Sequence, residues 1–115
     1  KDTFRHRAAG AREVVLASAH RFALLHEHRG AEPELTAILA RLTEVDLVLV
    51  EGYKRDTHPK IEVFREGEGR TLIQPGDPTI RAVATDALVA AGVPLLDLND
   101  TGAVADFVLG EVGLV

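Results

Sequence analysis

Cysteine is absent from the 115 residues, as are methionine and tryptophan. Without cysteine there is no disulfide framework, no thiolate-bound zinc or iron–sulfur centre and no thiol nucleophile. Aromatic residues are 4% of the chain, too few for a platform on which bases stack. Positive charge is outweighed: 13 Lys and Arg against 18 Asp and Glu leave a net −5. That argues against a general nucleic-acid binder and leaves room for a local basic patch. No apolar run approaches the roughly 18 residues of a membrane-spanning helix. The opening KDTFRHRAAG lacks the apolar stretch of a signal peptide. A cytoplasmic protein is expected, with neither membrane nor nucleic acid as partner. Ser18 is the only serine, and no Ser/His/Asp arrangement is indicated. The ten glycines never form GxxxxGK[ST] or GxGxxG, so a phosphate cradle of either form lies nowhere in these residues. Because the chain has no Met, Lys1 is expected to be an interior residue of a longer protein.

What is present is ordinary for a single globular domain, 46% apolar and 27% charged. Residues 3–9 suit a short helix, with Asp2 as N-cap and Gly10 as the stop. Residues 14–16 and 21–26 (RFALLH) read as neighbouring strands turning at 18–20. Leu35, Ile38, Leu39 and Leu42 follow helical spacing, which predicts an amphipathic helix over 34–42 with Pro33 in its first turn. The run 45–52 (VDLVLVEG) reads as a central parallel strand buried on both faces. Residues 60–65 (KIEVFR) suit an edge strand, with 70–74 (RTLIQ) returning as its hairpin partner after Gly67-Glu68-Gly69. Strands are expected at 80–85 and 95–98, with a short helix at 86–91 between them. A last helix follows, capped by Asn99 or Asp100, with Val104, Phe107 and Val108 on one face. Strands alternating with helices give an α/β fold with a mostly parallel sheet.

Four groups of residues carry candidate chemistry. Glu51 ends the apolar run, as a Walker B-type acid holding Mg²⁺ would, and Gly52 lets backbone approach a phosphate; a solvated strand end is the alternative. Asp2 and His6 share a helix face and can hold a metal, while Arg5, His6 and Arg7 form a basic cluster suited to phosphate; a capped, solvent-facing helix is the alternative. Lys54, Arg55, His58 and Lys60 form a basic stretch able to bind an anion, or an ordinary polar loop. Asp86 either accepts from the guanine N1–H and N2–H edge or caps the helix after it. His20, His26 and His28 lack metal-binding spacing and read as structural or solvated.

KDTFRHRAAGAREVVLAS, RFALLHE, DLVLVEGYK, HPKIEV and AVATD, in that order, resemble the MobB-type GTPases of molybdopterin guanine dinucleotide biosynthesis. The resemblance runs over nearly the whole chain. It implies a three-layer P-loop NTPase-like α/β fold with a mostly parallel sheet plus a β-hairpin. The N-terminal strand and GxxxxGK[ST] loop of that fold are not among these residues, so 1–115 looks like the C-terminal portion of one MobB-like nucleotide-binding domain. The resemblance implies GTP and Mg²⁺ as ligands, Glu51 and Asp2 at the metal and γ-phosphate as catalytic residues, and Asp86 at the guanine. It also implies a homodimer that assists the molybdenum cofactor guanylyltransferase of the MobA type, with molybdopterin as a further possible contact. Weak GTPase activity is expected of the complete family member and none of this segment alone. A non-catalytic dimerisation or binding module sharing the fold is the alternative function.

Overall fold

A computed structural model describes residues 2–114. The chain divides into two compact units, Lys1–Leu42 and Thr43–Val115.

The first unit opens with helix α1, Asp2–Ala8. It begins one residue earlier than expected, so Asp2 lies inside the first turn rather than capping it. Lys1, which opens the KDTFRHR motif, is outside the described residues. The expected stop is present: Gly10 has φ +102°. The Gly10 N–H donates to Arg7 O at 3.0 Å and the Ala11 N–H to His6 O at 3.1 Å. This bond pair closes helices that end on a left-handed residue. Strands β1, Glu13–Ala17, and β2, Phe22–His26, then pair antiparallel, with Glu13 opposite His26 and Ala17 opposite Phe22. Ser18 closes the loop between them, its N–H donating to Arg21 O at 2.8 Å and its Oγ accepting from the Arg21 N–H at 3.3 Å. This is the hairpin of the fold. Helix α2, Leu35–Leu39, is shorter than the 34–42 expected. Glu34 is its N-cap, which leaves Pro33 outside the first turn. Leu35, Ile38 and Leu39 are half-buried as their spacing requires, but Leu42 is exposed and its N–H bonds only three residues back.

The second unit is built on a parallel sheet, ordered β3-β4-β5, of Lys60–Phe64, Ile80–Thr85 and Leu95–Asp97. Strand β4 is central and carries the core: Ile80, Ala82, Val83 and Ala84 are buried. β3 is an edge strand, as its alternation suggested. Its partner is β4, in parallel, and not 70–74. That second hairpin fails because side chains take up the backbone it would use. The Glu62 carboxylate accepts from the Ile73 and Gln74 N–H groups at 2.8–3.1 Å, and Gln74–Gly76 closes into a 3₁₀ turn. Helix α3, Thr101–Glu111, is capped by Asp100, whose Oδ1 accepts from the Ala103 N–H at 3.0 Å. Val104, Phe107 and Val108 are half-buried on one face. The Arg81 Nε donates to Glu111 Oε1 at 2.6 Å and pins this helix to β4.

Two expected elements do not form. Residues 86–91 are not helical. Thr85 Oγ1 accepts from the Ala87 N–H at 3.0 Å, Asp86 is engaged elsewhere, and Leu88 is fully exposed, so a helix there would have no apolar face to bury. The run 45–52 is not a strand either. Among the described residues no strand pairs with it, and Val45 and Leu49 are 59% and 77% exposed. Apolar sequence makes a strand only where a neighbour completes the ladder of backbone hydrogen bonds. The resulting architecture is α/β, a three-stranded parallel sheet and an antiparallel hairpin, consistent with the fold class expected from the sequence.

Candidate functional site

In the first unit Asp2, Arg5 and His6 are exposed on α1. Arg7 differs from its neighbours: it is half-buried and its guanidinium lies 5.9 Å from the centre of the Phe4 ring. Arg5 and His6 are thus the exposed part of the basic cluster. Asp2 and His6 stand one turn apart, and no group of three metal-ligating side chains occurs among the described residues. Of the three histidines set aside as structural, His26 has a partner: its Nδ1 is 2.8 Å from Glu13 Oε2 across the hairpin.

In the second unit Glu51 is exposed on irregular chain and not at a strand end. The expectation that Glu51 ends a central strand therefore fails among the described residues. Gly52 and Tyr53 follow with φ +82° and +51°. Gly adopts this region freely; Tyr53 is the only non-glycine residue to do so among the described residues. The Asp56 N–H then closes a turn on Tyr53 O at 3.1 Å. Lys54 and Arg55 are exposed in that turn, while His58 is half-buried with its Nδ1 enclosed and without a hydrogen-bond partner.

Lys60 behaves differently from Lys54. Its ammonium donates to the carbonyl oxygens of Asp56 and His58 and, at 2.8 Å, to Thr79 Oγ1. An ammonium has three donors, so none is left for a ligand. Thr79 Oγ1 in turn donates a hydrogen bond to Asp77 Oδ1 at 2.6 Å, and the Thr79 N–H donates there at 2.9 Å. These hydrogen bonds from Thr79, with the Lys60 charge nearby, hold the Asp77 carboxyl below its ordinary range.

Asp86 lies just beyond the carboxyl end of β4, and Lys60 opens β3 opposite Ile80 at the other end of the sheet. Five residues of strand separate those ends, about 16 Å. Asp86 Oδ1 accepts from the Glu66 N–H at 2.8 Å and ties down the chain leaving β3. Residues 86–91 are not helical, so Asp86 caps no helix there. A bidentate grip on guanine would have to share that oxygen with Glu66. This loop-tying role was missed from the sequence, as were the bonds of the Glu62 carboxylate to Ile73 and Gln74; both join residues more than ten apart in the chain and leave no local signal.

The family model described as molybdopterin guanine dinucleotide synthesis protein B matches residues 1–86. The chain belongs to the MobB family. Similar proteins include two molybdopterin-guanine dinucleotide biosynthesis adapter proteins. That of Escherichia coli (strain K12) is 39% identical over 113 residues, covering 95% of this chain and 65% of the relative. That of Haemophilus influenzae (strain ATCC 51907) is 36% identical over 111 residues, covering 94% and 61%. The chain thus spans just under two thirds of the length of each relative.

The ligands implied by the MobB resemblance suit part of the donor set. Mg²⁺ takes oxygen ligands, commonly one or two carboxylates with phosphate oxygens and water. Asp2 and Glu51 offer exposed carboxylates of that kind. Lys54 and Arg55 offer exposed cations for phosphate, whereas Lys60 does not. No helix among the described residues is long and apolar enough to cross a membrane.

Proposed function

We propose that this chain forms the larger part of a GTP- and Mg²⁺-binding adapter in molybdopterin guanine dinucleotide synthesis. The observation that carries the reading is the MobB match over residues 1–86, and the relatives named as adapter proteins support it. In this reading, as the MobB resemblance implies, Asp2 in the first unit and Glu51 in the second are each candidate carboxylates for Mg²⁺ and the γ-phosphate. Arg5, His6, Lys54 and Arg55 neutralise phosphate charge, and Asp86 selects guanine with its free oxygen. The phosphate cradle comes from residues outside these 115, so weak GTP hydrolysis belongs to the longer protein. The partner is the guanylyltransferase that joins GMP to molybdopterin, and molybdopterin itself is a second candidate ligand. A homodimer is the assembly that the MobB resemblance implies.

Titration of fluorescent GTP against the full-length protein, with and without Mg²⁺, tests this. Glu51→Gln removes one charged contact, worth about 1.5–3 kcal/mol, and should weaken Mg²⁺-dependent binding roughly tenfold or more. Unchanged Mg²⁺ dependence removes Glu51 from the site. Absence of any complex with the purified guanylyltransferase in sedimentation removes the adapter role.

A further inference from the structure

We infer that Lys60 is a positioning residue: it holds in place the turn that presents Lys54 and Arg55 to an anion, and does not itself touch that anion. The inference rests on the reading of Lys54 and Arg55 as phosphate-binding. Lys54, Arg55 and Lys60 look alike in the sequence, three cations within seven residues, and the structure separates them. Lys54 and Arg55 are exposed; Lys60 is half-buried.

The bonds of Lys60 connect three places in the fold. Its ammonium gathers the Asp56 and His58 carbonyl oxygens, which lie on the far side of the turn from Tyr53. Its third proton goes to Thr79, just before β4, and its backbone N–H donates to Thr79 O at 2.9 Å. Thr79 is itself fixed by Asp77. The turn is thereby fastened to the amino end of the parallel sheet. If the ammonium left to bind phosphate, two carbonyls and a hydroxyl would lose their donor together. The upstream side of the turn needs such an anchor. Gly52 and Tyr53 are both left-handed there, and a Tyr side chain resists that conformation.

Two measurements on the full-length protein decide the matter. Hydrogen exchange reports the amides of 53–58, and GTP–Mg²⁺ affinity is read across a range of KCl concentrations. The variants are Lys60→Met, Thr79→Val and Lys54→Ala. Lys60→Met and Thr79→Val should both speed exchange across the turn. Both should weaken GTP binding by about two- to tenfold, the scale of ordering a loop on binding, with the salt dependence of the parent. Lys54→Ala should leave exchange unchanged and flatten the salt dependence. Unaltered exchange at 53–58 in both clamp variants overturns the inference. A flattened salt dependence in Lys60→Met also overturns it, because that would put the ammonium on the phosphate. Should Lys60→Met fail to fold, Thr79→Val removes one neutral hydroxyl and carries the test. If the parent protein binds no GTP, the reading of Lys54 and Arg55 falls, and the exchange data still decide whether Lys60 holds the turn.

Discussion

Strands β2 and β4 each carry four apolar residues, in FALLH and IRAVAT, yet β4 buries five of its six positions and β2 none of its five. Composition does not account for the contrast. β4 has a strand on either side, and α3 is pinned to it through Arg81 and Glu111. β2 has one neighbour, β1, and the pair forms a two-stranded sheet. Such a hairpin is marginal unless something covers a face of it. Burial therefore follows the number of neighbours a strand acquires. The run 45–52, with five apolar residues and no paired strand among the described residues, extends the series to its limit.

The largest expected effect tests that contrast directly. Ile80, 4% exposed, should cost about 2–5 kcal/mol when cut to Ala, because a cavity is left in a packed core. Phe22, 72% exposed, should cost within about 0.5 kcal/mol as Phe22→Ala. Urea unfolding of both variants checks the pair. An equal loss from Phe22→Ala in the full-length protein would reveal a cover on the hairpin and break the comparison.

A smaller effect belongs to the cap of α3. Asp100→Ala leaves the Ala103 N–H without its acceptor and should cost about 1 kcal/mol by thermal melting, with Asp100→Asn nearly neutral. Smaller again is the Glu13–His26 pair of the hairpin, whose side chains are both substantially exposed. A double-mutant cycle to Ala should give about 0.2–1 kcal/mol of coupling, shrinking with salt.

The smallest effect is on acid stability. The Asp77 carboxyl sits below its ordinary value near 3.8 because Thr79 donates to it twice. A depressed carboxyl stabilises the folded state above its unfolded value and loses that contribution as pH falls through the folded one. Asp77→Asn should therefore flatten the acid limb of stability below about pH 4 and leave the shape of the profile near neutrality unchanged. An acid limb identical to the parent's would mean the Thr79 bonds do not persist in solution.

The sequence was legible wherever the signal is local. Alternation in 60–64, β-rich composition in 80–85 and the Asp at 100 before a helical face each rest on contacts within a few residues, and each element forms there. It misled where a local pattern needs a distant partner. VDLVLVEG has the composition of a central strand, but among the described residues no strand pairs with it, and Glu51 lies on irregular chain. RTLIQ was read as the return of a hairpin, but the Glu62 carboxylate takes its last N–H groups. At the candidate site the residue types were visible and their roles were not: three cations near one turn could not be sorted into exposed ligands and an internal clamp.

What the sequence determined by itself is the α/β class, the position of most strands, the hairpin at 13–26, the Gly10 stop of α1 and the Asp100 cap of α3. Backbone propensity, side-chain periodicity and capping groups act over a few residues and are written in order along the chain. Only the tertiary structure decided that β3 runs parallel beside β4, that Asp86 ties a loop and that Lys60 spends its three protons inside the protein. Those outcomes depend on which donors and acceptors, some about twenty residues apart, arrive at the same place, and that is settled by packing rather than by any local run of residues.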